Sequence, residues 1–153
     1  MHADVIPIRY VIEVRVKTKC KDPDCKSEGC FDTSYSYTSP DGTPVTLQAG
    51  DVFLLPDHRE LYQCTWENCD GKHLVCMVPD VADGCYPWCI DGRASNCTMP
   101  EDHSHRCWVR RGDLANGDLH VSKEGFTCAA GAGSIQLGTY HGHLHNAHLR
   151  KIP

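Results

Sequence analysis

Residues 8–17 alternate between apolar and polar positions, with Tyr10, Ile12, Val14 and Val16 on one side and Glu13, Arg15 and Lys17 on the other. A period of two carried by β-branched residues predicts a half-buried strand. The runs at 35–38 and 45–47 flank Ser39-Pro40-Asp41-Gly42. Pro and Gly at those places predict a tight turn, and the segment reads as a hairpin. Continuous apolar runs at 52–55 and 74–78 predict buried strands. Residues 108–110 and 119–121 are expected to pair across the Gly- and Asp-rich segment 112–118. One short helix is expected near residues 57–62. Residues 18–31 read as a charged, cysteine-bearing loop, and residues 128–138 as a small-residue, flexible stretch. The class this predicts is small and β-rich (β or α+β), irregular, loop-rich and zinc-stabilised.

Composition explains why metal enters that description. The 153 residues suit one domain. Residues 1–63 form its hairpin-rich N-terminal part with the cysteine loop, and residues 64–153 a Cys/His-rich core. Phe and Trp number only 3 each, while Gly numbers 13 and Pro 9. A thin core with many loops needs staples, and bound metal is one kind. The chain carries 11 cysteines, and its first residues show no basic segment followed by an apolar one, so no signal peptide is expected. No apolar stretch approaches the ~18 residues of a membrane span. In a reducing compartment, clustered thiols are metal ligands more often than disulfide halves.

The net charge of −5 argues against indiscriminate nucleic-acid binding. From His103 onward the balance reverses, with Arg106, Arg110, Arg111, Lys123, Arg150 and Lys151 against Asp113, Asp118 and Glu124. A local basic surface, or a solvated mixed face, follows from that excess.

The cysteines fall into groups: Cys20/Cys25/Cys30, Cys64/Cys69/Cys76, Cys85/Cys89/Cys97, then Cys107 and Cys128. A structural zinc site takes four Cys or His ligands in a tetrahedron, usually delivered as local pairs. Cys64/Cys69 with Cys85/Cys89 has the order of a stretched zinc ribbon. An overlapping set is Cys64, Cys69, His73 and Cys76. The favoured set is Cys97, His105, Cys107 and Cys128, a Cys3His site. Together with Cys20, Cys25 and Cys30, these groups predict two or three structural zinc ions. A buried free thiol is the competing state for any single cysteine. No run completes an iron–sulfur ligand pattern.

Two further features bear on catalysis. In the tail, His141, His143 and His145 would share one face of a strand, and His148 follows. A solvated, incidentally His-rich terminus is the plainer reading. His58-Arg59-Glu60 matches the opening of a zinc-deaminase motif, but the required cysteine pair does not follow. The HExxH, GxSxG and Walker A strings are absent. Gly131-Ala132-Gly133-Ser134 lacks the lysine of a phosphate loop and reads as a tight turn.

The segments Ser95-Asn96-Cys97-Thr98-Met99-Pro100, His105-Arg106-Cys107-Trp108-Val109-Arg110-Arg111-Gly112, Thr127-Cys128-Ala129-Ala130-Gly131-Ala132-Gly133-Ser134-Ile135 and Tyr140-His141-Gly142 resemble a group of small uncharacterised proteins encoded by bacteriophages of actinobacteria. Residues 71–79 and Trp88-x-Ile90-Asp91 belong to the same likeness, which covers the C-terminal half. The resemblance implies a phage accessory protein made inside the host, and supplies no activity. It singles out Cys97, His105, Cys107 and Cys128, and departs at His143, His145 and His148.

The expectation is therefore a non-catalytic zinc-binding phage accessory protein in the host cytoplasm, binding a host or phage protein. Nucleic acid is the second candidate partner, and no membrane is implied. Trp66, Trp88, Arg110 and Arg111 would be the presented side chains. One alternative is a metal-dependent nuclease or hydrolase using the His-rich tail with Asp113 or Asp118. The other is a virion structural or decoration protein.

Overall fold

The computed structural model describes residues 2–55, 73–92, 94, 96–99, 101–102, 105–114, 116–123, 128 and 133–153. The helix expected at 57–62, and Cys64, Trp66 and Cys69, lie outside the described residues. Every regular element among the described residues is a strand.

The order is β1 (Val5–Pro7), β2 (Arg9–Tyr10), β3 (Ile12–Lys19), β4 (Phe31–Thr38), β5 (Pro44–Val45), β6 (Asp51–Leu55), β7 (His73–Pro79), β8 (Cys85–Cys89), β9 (Val109–Arg111), β10 (His120–Ser122), β11 (Ile135–Leu137), β12 (Tyr140–His145) and β13 (His148–Lys151). They form sheets ordered β1-β13-β12-β11, β2-β6-β7-β8 and β3-β4-β5, with a two-stranded β9-β10 ribbon.

Strand β7 explains the layering. All seven of its residues are buried, as expected for a strand covered on both faces. Leu74, Cys76 and Val78 point one way, into a core with Val52, Trp88, Ile90, Leu119, Val121, Ile135, Tyr140, Leu144 and Leu149. Val75 and Met77 point the other way, into a smaller core with Val11, Phe53 and Leu55. Sheet β2-β6-β7-β8 is thus the middle layer. Each fully buried aliphatic side chain here contributes about 1.5–3 kcal/mol.

The expected strands at 52–55 and 74–78, and the 108–110 with 119–121 pairing, are present within a residue at each end. His120 pairs Arg111 and Ser122 pairs Val109. The expected hairpin also forms, with Tyr37 opposite Val45 and Thr38 opposite Pro44. Its turn closes through Gly42 N–H to Ser39 O at 2.9 Å and Ser39 N–H to Thr43 O at 2.8 Å. The Ser39 hydroxyl and Thr43 N–H, in that order, hold the Asp41 carboxyl down to about 2.

Two expectations are corrected. First, the apolar face of β3 is the exposed one. Ile12, Val14 and Val16 are 38 %, 37 % and 46 % exposed, whereas the Arg15 and Glu13 side chains are 12 % and 5 % exposed. The aromatic residues of β4 decide the matter. Tyr37 and Tyr35 stand opposite Glu13 and Arg15, and cross-strand neighbours share a face. The Tyr37 ring packs 5.3 Å from Phe53, the Arg15 guanidinium lies 5.6 Å over Tyr35, and Arg15 pairs Glu13 at 3.1 Å. The ring contact therefore turns the charged face inward and leaves the aliphatic ridge outside.

Second, the His-rich tail is a regular hairpin that keeps its histidines on the partly exposed face and buries its leucines. It forms β12 and β13, whose Leu144 and Leu149 are 1 % exposed. Asn146 and Ala147, with φ of 50° and 63°, make the two-residue turn that hairpins favour. A Cβ on Gly142 would collide with the Tyr140 hydroxyl and the Arg150 carbonyl, so β12 can pass only because that position has no side chain. Residues 135–137, expected to be flexible, are the strand β11 beside β12.

Candidate metal centre

The segment after β8 folds as a series of tight turns. Gly92 N–H donates to Cys89 O, Cys97 N–H to Ala94 O, Asp102 N–H to Met99 O and His105 N–H to Asp102 O, all at 3.1–3.2 Å. These turns bring Cys97 back towards His105 and Cys107. Cys128, beyond the β9-β10 ribbon, completes the group. The Sγ atoms of Cys97, Cys107 and Cys128 and a ring nitrogen of His105 all lie within 4.8 Å of one another. His105 Nε2 stands 3.7 Å from Cys107 Sγ. Around zinc, bonds of about 2.3 Å to sulfur and 2.0 Å to nitrogen place those atoms about 3.5 Å apart in a tetrahedron. The four residues predicted as one site are thus four donors close enough together to hold a metal ion.

The surroundings suit a charged cluster. Cys107, His105 and Cys128 are 0 %, 6 % and 8 % exposed. Met99 N–H donates to Cys97 Sγ at 3.4 Å and Thr98 Oγ1 donates to Cys128 Sγ at 3.5 Å. Such donors orient metal-bound sulfurs and moderate their charge. Burial first, with the Cys97 and Cys128 thiols beside it, pushes the Cys107 thiol up to about 11.

A second network clamps the loop to the middle layer. Asp91, 2 % exposed, accepts from Leu74 N–H at 2.8 Å on Oδ2 and from Arg106 Nη1 at 2.9 Å on Oδ1. Arg110 Nε stands 3.5 Å from Oδ1. Arg106 lies between two ligands in sequence. The Arg106 side chain goes to Asp91, while those of His105 and Cys107 go to the cluster. Trp108 then meets Trp88 edge to face at 5.3 Å and 89°, joining the cluster to the larger core. Asp91 and Arg106 were not singled out from sequence for this role. The signal available was the alternation His-Arg-Cys, in which a charged residue separates two ligands.

The remaining candidates distribute differently. Cys20, Cys25 and Cys30 form a second group within 4.8 Å, all partly exposed. Ser27 N–H first, then the Cys30 thiol, lowers the Cys25 thiol, while the Cys30 thiol is raised by Cys20 and Cys25. Cys85 and Cys89 both lie on β8. Four residues of extended chain set them about 13 Å apart, whereas two sulfurs on one zinc are under about 4 Å apart. They are therefore not a local ligand pair; Cys64 and Cys69, their expected companions, lie outside the described residues. The overlapping set fails for a similar reason. His73 and Cys76 occupy opposite faces of β7, and Cys76 is wholly buried among aliphatic side chains, which raises its thiol far above the ordinary range. Among the described residues, nine cysteines form no disulfide.

The His-rich strand does place His141, His143 and His145 on one face. His143 and His145 stack at 4.7 Å, and His120 from β10 stacks on His145 at 4.4 Å. Asn146 N–H donates to His120 Nδ1 at 3.3 Å. Asp118 Oδ1 accepts from Asp113 N–H at 2.8 Å, closing the β9-β10 connection rather than joining the histidines. Of the side chains expected at a binding surface, Trp88 is 7 % exposed in the core and Arg110 is half-buried against Asp91. Trp88 packs inward because it alternates with Cys89 on an edge strand whose inner face is the core.

Among the described residues no helix is long and apolar enough to cross a membrane. No family model matches the chain, and neither a curated protein nor a solved structure matches it.

Proposed function

We propose that this is a zinc-binding accessory protein of a bacteriophage, non-catalytic, which acts in the host cytoplasm by binding a host or phage protein. The observation that carries the zinc reading is the largely buried Cys97/His105/Cys107/Cys128 group, with four donor atoms within 4.8 Å of one another. A set of three sulfurs and one imidazole suits zinc by ligand type, and four protein ligands leave no position for a substrate. Hydrogen bonds donated to the cysteine sulfurs by Met99 N–H and the Thr98 hydroxyl, and the Asp91–Arg106 clamp, support a structural role. The resemblance to phage-encoded proteins falls on these same ligands. The binding role is supported by the arm formed by strands β3 and β4, where Ile12, Val14 and Val16 stand exposed on one face; neighbouring exposed apolar side chains mark interaction surfaces.

The test is metal analysis of untagged protein purified under reducing conditions, before and after chelation. Zinc bound by the wild type, with one equivalent fewer and a lowered Tm in Cys107→Ser, is the expected result. A fully folded protein with no metal, or one whose mass shows paired cysteines, overturns the zinc reading. For the binding role, capture from infected host cells should retain one defined protein on the wild type and lose it on Val14→Lys. Equal capture by both overturns the arm as the contact surface.

A further inference from the structure

The arm ends in a cluster unlike the buried one. Strands β3 and β4 pair over eight residues, from Ile12 opposite Thr38 to Lys19 opposite Phe31. Residues 20–30 connect them. Apart from its cysteines and Pro23, this loop holds only Lys, Asp, Ser, Glu and Gly, so no apolar side chain fixes its shape. It is nevertheless folded back on itself. Cys25 N–H donates to Asp22 O at 3.1 Å, Cys30 N–H to Ser27 O at 3.4 Å and Cys20 N–H to Cys30 O at 3.2 Å. Asp24 N–H donates to Asp22 Oδ1 at 2.9 Å. These two turns carry Cys25 and then Cys30 back to Cys20, until the three sulfurs lie within 4.8 Å of one another.

Ordering eleven loop residues costs about 1–2 kcal/mol each in backbone entropy, and solvated turn hydrogen bonds return only part of that. A metal held by three thiolates supplies what an apolar core supplies elsewhere. Among the described residues, no histidine, carboxylate or fourth cysteine joins the three. A four-coordinate ion bound there keeps one position open, and the partial exposure of all three cysteines faces that position to solvent.

We propose that the arm tip is a second, open metal site, in which Cys20, Cys25 and Cys30 hold zinc as thiolates and the fourth position takes an imidazole or thiolate from outside the chain. The source of that donor is a histidine or cysteine side chain of the bound protein, or a small thiol. Such a site makes the tip a metal-dependent contact point at the end of the exposed apolar ridge. It stands independently of the buried cluster.

The test uses Co2+ in place of zinc on the full chain under reducing, oxygen-free conditions. Wild type should bind one more equivalent of Co2+ than Cys25→Ser and than Cys30→Ser, with the fold unchanged in both. The difference between wild-type and variant visible spectra isolates the arm ion. Imidazole should shift that difference spectrum and leave the spectrum of Cys25→Ser unmoved. Equal Co2+ binding in wild type and both variants overturns the site. An arm spectrum insensitive to imidazole and to 2-mercaptoethanol means a closed ligand shell and overturns the open position. A mass two lower than the reduced chain, removed in Cys25→Ser or Cys30→Ser, means a disulfide at the tip and also overturns it. Loss of Co2+ from Cys107→Ser alone reports on the buried cluster, so the two readings fail separately.

Discussion

The two cysteine groups differ in what holds their ligands in place. At the buried group, each ligand is seated by something other than metal: Arg106 pinned to Asp91, Trp108 against Trp88, and N–H and O–H donors on two of the sulfurs. At the arm tip, the support among the described residues is backbone turns, the Asp22 carboxylate and the thiols themselves. The first is a part of the packed body, so a change there propagates into the larger core through Trp108 and Trp88. The second hangs from a two-stranded arm, and a change there should stay local. Similar chemistry thus predicts opposite consequences for stability.

The largest expected effect is that of Cys107→Ser. Loss of a structural metal belongs to the few changes that cost about 4 kcal/mol or more. At about 2–4 °C per kcal/mol for a chain of this size, Tm should fall by roughly 10 °C, measured calorimetrically at fixed zinc. Asp91→Ala comes next. It leaves Leu74 N–H without its buried acceptor and releases Arg106, at a cost of about 2–3 kcal/mol, with zinc affinity falling about 10- to 100-fold. Unchanged zinc affinity in a competition titration would show that the clamp does not support the cluster.

Gly142→Ala separates packing from metal. It should cost about 1–3 kcal/mol through overpacking while metal content stays at the wild-type value. The histidine stack gives a smaller, pH-dependent effect. Burial first, then the neighbouring His141, lowers His143; burial first, then His120, His143 and Arg150, lowers His145. Depressed folded values mean that both rings favour the neutral form. Their contribution is complete above the ordinary value of about 6.5 and is lost as pH falls below it through the folded values. Tm should therefore drop a further ~1–2 °C between about pH 6.5 and 5, and His145→Gln should flatten that slope. Cys25→Ser should move Tm least, within the ~0.5 kcal/mol of ordinary surface changes. A collapse comparable to that of Cys107→Ser would erase the contrast between arm and body.

Legibility in the sequence follows the same division. Strands with runs of apolar residues, at 52–55 and 74–78, announce themselves because both faces are buried. Strands β1 and β8 do not, since Pro7 and Pro87 read as breakers. Proline is tolerated there because both are edge strands. The arm's alternation gave the strand but not its inner face, because that face was set by Tyr37 meeting Phe53, a contact 16 positions apart. The buried ligand set was readable from residue type and spacing. Asp91 and Arg106 were not, because their pairing depends on Asp91 accepting from Leu74 N–H across the sheet. Cys85 and Cys89 misled for a plain reason: a spacing that suits a loop becomes a separation of about 13 Å once the segment is extended.

The position of Cys128 has a consequence for the order in which the chain acquires its shape. The arm's three thiols arise within eleven consecutive residues, so their cluster can close as soon as that segment has left the ribosome. Cys128 follows Cys107 only after the whole β9-β10 ribbon has been made. The buried cluster consequently cannot close until every strand but the last three, β11 to β13, has been made. Until then, three of its donors wait on a loop whose clamp, Asp91 with Arg106, is already encoded upstream.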